Sequence, residues 1–139
     1  MSGEEIRSIV YRAEELWNTG DMGIADEIYA KDFVNHDPGA PDVRDLEAYK
    51  GFIVAVRNGM PDFHVTMDDM IVEGDKVAGR WTAHGTQQEE FIGIPATGNQ
   101  ATWTGMTIYR LDQGKIVEAW WSKDMLSLLI QLGVVPPLD

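Results

Sequence analysis

The chain has 139 residues, no cysteine and a formal net charge of −12. That length suits one domain, 1–139, with room for an internal pocket, and the absence of thiols excludes disulfides, Cys-ligated metals and thiol nucleophiles. The acidic balance repels phosphate backbones and anionic membranes, so neither nucleic acid nor membrane is an expected partner.

The opening MSGEEIRSIV carries two acids and no basic-then-apolar block, so it does not read as a signal peptide. No apolar run reaches membrane-spanning length, and a cytoplasmic location is expected. Residues 3–18 read as an amphipathic helix, with Ile6, Ile9, Val10, Ala13, Leu16 and Trp17 at helical spacing. Ser2 and Glu5 form a capping box before it, and Gly20 suits a left-handed cap after it. Asp21 starts a shorter helix running to Tyr29. Residues 33–36 read as a short extended piece, and Asp37-Pro38-Gly39-Ala40-Pro41 as a loop. A third helix is predicted over 43–58, with Leu46, Tyr49, Ile53 and Val56 on one face.

After Gly59-Met60-Pro61 the period changes to two. Residues 62–73 alternate, with Phe63, Val65 and Met67 on one side and a phase slip at Asp68-Asp69 that predicts a solvated bulge. Gly74-Asp75 turns the chain into a strand over 76–88. There Val77, Gly79, Trp81 and Ala83 share one side, and Ala78, Arg80, Thr82 and His84 the other. Residues 89–92 read as a short strand and 93–98 as an irregular loop. A final hairpin turns at Asp112-Gln113-Gly114, with or without Lys115, and a helix follows over 125–132. The shorter loop sets Met106 opposite Trp120, the longer sets Thr107 there. One step of slip swaps the faces, so the orientation of Met106, Ile108 and Arg110 stays open. Helices, then an antiparallel meander, then a terminal helix indicate α+β.

Asp124 has two readings. It suits the N-cap of the last helix. Alternatively, lying beside Trp120 and Trp121 and before Met125, Leu126 and Leu128, it suits a carboxylate among apolar groups. Trp120 shares strand parity with Asp124, so it is the tryptophan expected to line a pocket. Trp103 and Met106 are expected to join that wall, and Arg80 or His84 to hydrogen-bond a substrate carbonyl. His64 reads as an ordinary surface position. The three histidines lie on separate elements, so no metal site is expected.

Four segments carry a resemblance that runs nearly end to end: WNTGD, YAKDFVNHDPG, GTQQEEFIGIPATGNQ and YRLDQGKIVEAWWSKDMLSLLIQLG. The chain resembles the SnoaL-like polyketide cyclase family of the NTF2-like superfamily. The resemblance implies a cone in which a curved antiparallel sheet is wrapped by three N-terminal helices and closed by a short C-terminal one. It implies a cofactor-independent cyclase or isomerase acting on a small hydrophobic carbonyl compound. Asp124 would be general acid/base, by intramolecular aldol chemistry, and His36 would border the pocket as its helper. The chain departs from the pattern twice: Arg110 stands where the family's assisting histidine falls, and Gln87 where a GTH-type motif has histidine. The alternative is a binding module of the same fold. An epoxide hydrolase built on Arg80 and Asp124 ranks behind both. The superfamily often pairs through its open sheet face, and Trp81 or Trp121 exposed there would need covering. A homodimer or larger homo-oligomer is expected.

Overall fold

The structure, a computed structural model, describes residues 1–137. Among these the elements are, in order, α1 (Gly3–Thr19), α2 (Met22–Ile28), β1 (Tyr29–His36), α3 (Leu46–Gly59), β2 (His64–Glu73), β3 (Lys76–Thr86), β4 (Gln100–Asp112), β5 (Lys115–Lys123) and α4 (Met125–Gln131). The five strands form one curved, open sheet in the order β1-β5-β4-β3-β2. This is the expected α+β cone.

Each helix starts where a side chain takes up a free backbone donor. Ser2 accepts from Glu5 N, Asp21 from Gly23 N, and Asp45 from Ala48 N. Gly20 ends α1 at a φ of 74°, a conformation open to glycine. The buried stripes Ile6, Val10, Ala13 and Leu16 of α1 and Leu46, Tyr49, Ile53 and Val56 of α3 cover the inner face of the sheet. Two apolar clusters result. One joins α1, α2, β1 and the turn end of the last hairpin. The other joins Phe63, Trp81, Phe91, Trp103 and Leu128. Trp17, Met67 and Trp121 pack against both.

The predicted bulge is present, as a register shift between Met67 and Asp69. Three features depart from the sequence reading. β1 is longer than the expected extended piece and adds to β5 in parallel, so the sheet is not wholly antiparallel. Residues 89–92 form no strand; Phe91 and Ile94 make one isolated bridge. The last hairpin has a two-residue loop, with Asp112 paired to Lys115 and φ of 50° at Gln113 and 81° at Gly114. This mirror-image turn matches the strand twist. A second register shift follows, in which β5 skips Val117, so Ile108 faces Trp120 and Thr107 faces Trp121. Neither expected register occurs. A one-residue bulge moved the pairing, and nothing in the composition of Val117 marks it.

Gly105 pairs with Trp81 across β3 and β4. The indole lies directly on that backbone: a Cβ on Gly105 would sit 2.2 Å from a Trp81 ring carbon. Gly105→Ala therefore overpacks the sheet and is expected to destabilise the fold by about 1–3 kcal/mol. Urea unfolding checks this, as a lower midpoint at unchanged slope.

Candidate functional site

Between the sheet's inner face and the helices lies a cavity open to solvent at one mouth. Helix spacing brings Ala13, Glu14 and Trp17 to it from α1, and Tyr49, Phe52 and Val56 from α3. Strand alternation brings Trp81 from β3, Trp103 and Tyr109 from β4, and Trp121 and Lys123 from β5. Nine of the twenty lining residues are aromatic. Trp121 meets Trp17, Trp81 and Tyr109 at centroid distances of 6.4, 6.1 and 6.1 Å, each edge to face.

The indole N–H groups of Trp17, Trp81 and Trp121 are consumed inside the wall. Trp17 Nε1 donates to Tyr49 Oη at 2.8 Å, and Tyr29 Oη donates to the same oxygen at 3.1 Å. Trp81 Nε1 donates to Thr107 Oγ1 at 3.0 Å, and Trp121 Nε1 to Asn35 Oδ1 at 2.7 Å. Burial raises the Tyr29, Tyr49 and Tyr109 phenols above their usual range, so they stay neutral. The cavity thus presents mainly ring faces and edges.

One ion pair lies on the cavity. Lys123 Nζ donates to Asp37 Oδ2 at 2.6 Å, with only 11% and 5% of the two side chains exposed. The other Asp37 oxygen accepts from Gly39 N at 3.0 Å, so the loop holds its own carboxylate. Lys123 Nζ also lies 5.1 Å from the centre of the Phe52 ring, within range of a cation–π contact. An ammonium has three donors, and Asp37 takes one. Glu14 also reaches the wall, but its Oε2 accepts from Met67 N at 2.7 Å and so ties α1 to β2.

Of the residues expected at the site, Trp103 lines the cavity. Asp124 does not. It is exposed, it caps α4, and its Oδ1 accepts from Ser127 N at 3.0 Å. The expected apolar surroundings for that carboxylate are absent, because it follows Lys123 and strand alternation carries Lys123 inward. Trp120 and Asp124 do share a side, but it is the outer one. There Trp120 stacks on His36 at 5.4 Å, and His36 Nε2 bonds Glu118 Oε2 at 2.7 Å. Arg110 donates to the other Glu118 oxygen at 3.1 Å. Arg80 lies on the same outer face, 3.8 Å from Asp68, and His84 stacks there on His64. Met106 is 60% exposed there. His36, Arg80, His84, Met106, Arg110 and Trp120 are therefore corrected from cavity to outer face, all by the same alternation. Trp81 and Trp121, either of which would have needed covering if exposed on that face, both point inward. Arg80 and Asp124 share no cavity, which removes the geometric basis for an epoxide hydrolase site.

Sequence reading missed Asp37, Lys123 and Tyr49 as site residues. Asp37 carried a signal, as the only acid of a Pro-Gly loop next to His36. Lys123 carried none apart from the register. Gln87 is fully buried away from the cavity, and its amide holds the 94–97 loop.

The family model described as SnoaL-like polyketide cyclase matches residues 8–132. Among solved structures, the chain is 34% identical to IdmH, a proposed polyketide cyclase from Streptomyces antibioticus, with a TM-score of 0.81 over 92% of this chain and 98% of that one. It is 26% identical to TsrD from Streptomyces laurentii, with a TM-score of 0.89 over 97% and 99%. It is also 26% identical to AclR, a proposed hydroxylase from Streptomyces galilaeus, with a TM-score of 0.86 over 99% and 87%. No curated protein matches the chain.

The Lys123–Asp37 pair is buried, so removing one partner leaves the other charge uncompensated. Lys123→Met and Asp37→Leu are each expected to cost about 3 kcal/mol, and the double Asp37→Leu, Lys123→Met to recover most of that. A double-mutant cycle from chemical unfolding measures the coupling.

Proposed function

Because the chain belongs to the SnoaL-like polyketide cyclase family, we propose that it binds a small hydrophobic carbonyl compound in the aromatic cavity and performs cofactor-independent acid/base chemistry on it. The observation that carries this reading is the buried Lys123–Asp37 pair in a largely apolar wall. A carbonyl oxygen entering the cavity takes a second Lys123 N–H. Asp37 removes a proton from the carbon between two carbonyls, and the negative charge moves to the oxygen held by the ammonium. The enolate carbon attacks a second carbonyl of the same molecule, forming a C–C bond. Protonated Asp37 then returns its proton to the new alkoxide. The wall holds the two reacting ends together and excludes water.

In this proposal Asp37 takes the role that the resemblance gave to Asp124. The test is exchange of α-hydrogens for deuterium in a panel of aromatic β-ketoesters, followed by NMR. Wild-type protein accelerates exchange, Asp37→Asn lowers it by about 100-fold or more, and Asp124→Asn leaves it within about twofold of wild type. Loss of exchange in Asp124→Asn with full activity in Asp37→Asn overturns the assignment.

One observation favours a second reading, a binding module without turnover. Both positions to which the resemblance attaches acid/base roles, 110 and 124, hold side chains outside the cavity. Ligand binding without accelerated exchange in any panel member supports that reading.

We further propose that a second copy of this chain covers the outer sheet face, and that the protein acts in the cytoplasm. Cross-strand pairing aligns Ile71, Ala78, Ile108, Trp120 and His36 in a row across the whole sheet. Ile71, Met106 and Ile108 are exposed in or beside it. Lys76, Arg80 and Arg110 flank the row together with Glu73, Asp68 and Glu118, so the face carries both signs and can complement itself about a twofold axis. Light scattering at micromolar concentration is expected to give a dimer, and Ile108→Glu a monomer; a wild-type monomer overturns this.

A further inference from the structure

Ile92 is an outlier in its backbone. Among the described residues only Ile92 and Gln113 have positive φ without being glycine, and Ile92 has 46°. Gln113 sits in a hairpin turn that tolerates it. Ile92 is β-branched, and its branched carbon crowds the backbone in the left-handed region. The residue occupies a two-residue turn with Gly93, closed by Phe91 N donating to Ile94 O at 3.0 Å and Ile94 N to Phe91 O at 2.8 Å. Such a turn needs positive φ at both central positions and is best served by Asn-Gly.

The surroundings leave the turn no relaxed alternative. On one side Gln88 N and Glu89 N both donate to Gly59 O, at 2.9 and 3.2 Å. That segment lies so close to the end of α3 that a Cβ on Gly59 would stand 2.7 Å from Glu90 O. Phe91 is buried against Trp103. On the other side Gln87 Nε2 donates to the carbonyls of Ile94 and Pro95 at 2.9 and 3.1 Å, and Thr97 Oγ1 donates to Gln87 Oε1 at 2.7 Å. Strain of this kind persists only where neighbouring contacts over-determine it, and it concentrates at functional positions.

The side chain of Ile92 lines the cavity yet is 39% exposed. It therefore stands at the mouth. We propose that Ile92 is the specificity-determining residue at that mouth, held in a strained turn so that its branched apolar side chain closes over the outer end of an apolar ligand and narrows what enters. This rests on the reading of the cavity as a site for a hydrophobic small molecule. A polar asparagine would satisfy the turn with less strain, and would leave the mouth without its apolar edge.

The test uses the full chain and a neutral probe, N-phenyl-1-naphthylamine, followed by its fluorescence. Ile92→Asn is expected to raise Tm by about 2–4 °C through relief of strain. It is also expected to weaken probe affinity by about tenfold through faster dissociation, the loss of one apolar side-chain contact. Ile92→Val, which keeps the branch, is expected to stay within about threefold of wild-type affinity. A lower Tm in Ile92→Asn overturns the proposal, because the side chain then serves the fold. Wild-type binding with unchanged affinity in Ile92→Asn overturns the mouth assignment alone and leaves the cavity reading standing. Absence of probe binding by the wild type overturns both.

Discussion

The alternation of the last hairpin is the constraint on which the site depends. A two-residue turn at Gln113-Gly114 and one skipped residue, Val117, decide which side chains of β4 and β5 face the helices. With this register Tyr109, Trp121 and Lys123 line the cavity. One further step would put Trp120 among them and turn Trp121 and Lys123 to the outer face, because strand side chains alternate without exception along a regular strand. The aromatic wall and the only lysine of the cavity lining therefore share one cause.

That register is supported by how the sheet's two edges are finished. β2 lies at one edge. There the Asn18 side chain imitates a neighbouring strand, accepting from Val65 N at 2.8 Å and donating to Val65 O at 2.9 Å, while Glu14 takes Met67 N. β1 forms the other edge. Asn35 N donates to Arg44 O, its Nδ2 to Val43 O, and its Oδ1 accepts from Trp121. Asn35 thus links edge strand, loop and cavity wall. Among the described residues no buried side-chain nitrogen or oxygen lacks a partner. A hollow lined by rings stays open at low cost only when its polar atoms are already satisfied.

Against this settled background two local features are unsettled, and both lie on the cavity. The Lys123–Asp37 pair sits at low exposure where two apolar residues would pack more simply. The turn at Ile92 holds a β-branched residue where glycine or asparagine fits better. Departures from the easiest solution tend to collect where a protein meets its ligand. The SnoaL-like scaffold supplies the hollow, and these residues give this chain its own version of it.

The order of helices and main strands, the helix starts at Ser2 and Asp21, the bulge after Met67 and the two-sided alternation of β3 were legible in the residues themselves, though not which side of β3 faces inward. Each follows from a local rule of capping or period that acts over a few positions. The resemblance, nearly end to end, carried the architecture and the family. The parallel seat of β1, the skipped Val117, the strained turn at Ile92 and the meeting of Lys123 with Asp37 were decided only by tertiary structure. Asp37 and Lys123 are 86 positions apart, so no local pattern relates them. Asp124 shows the limit most clearly. Capping and burial among indoles were both consistent with its neighbours in sequence, and only the strand pairing, by carrying Lys123 inward, left the carboxylate in water at the head of a helix.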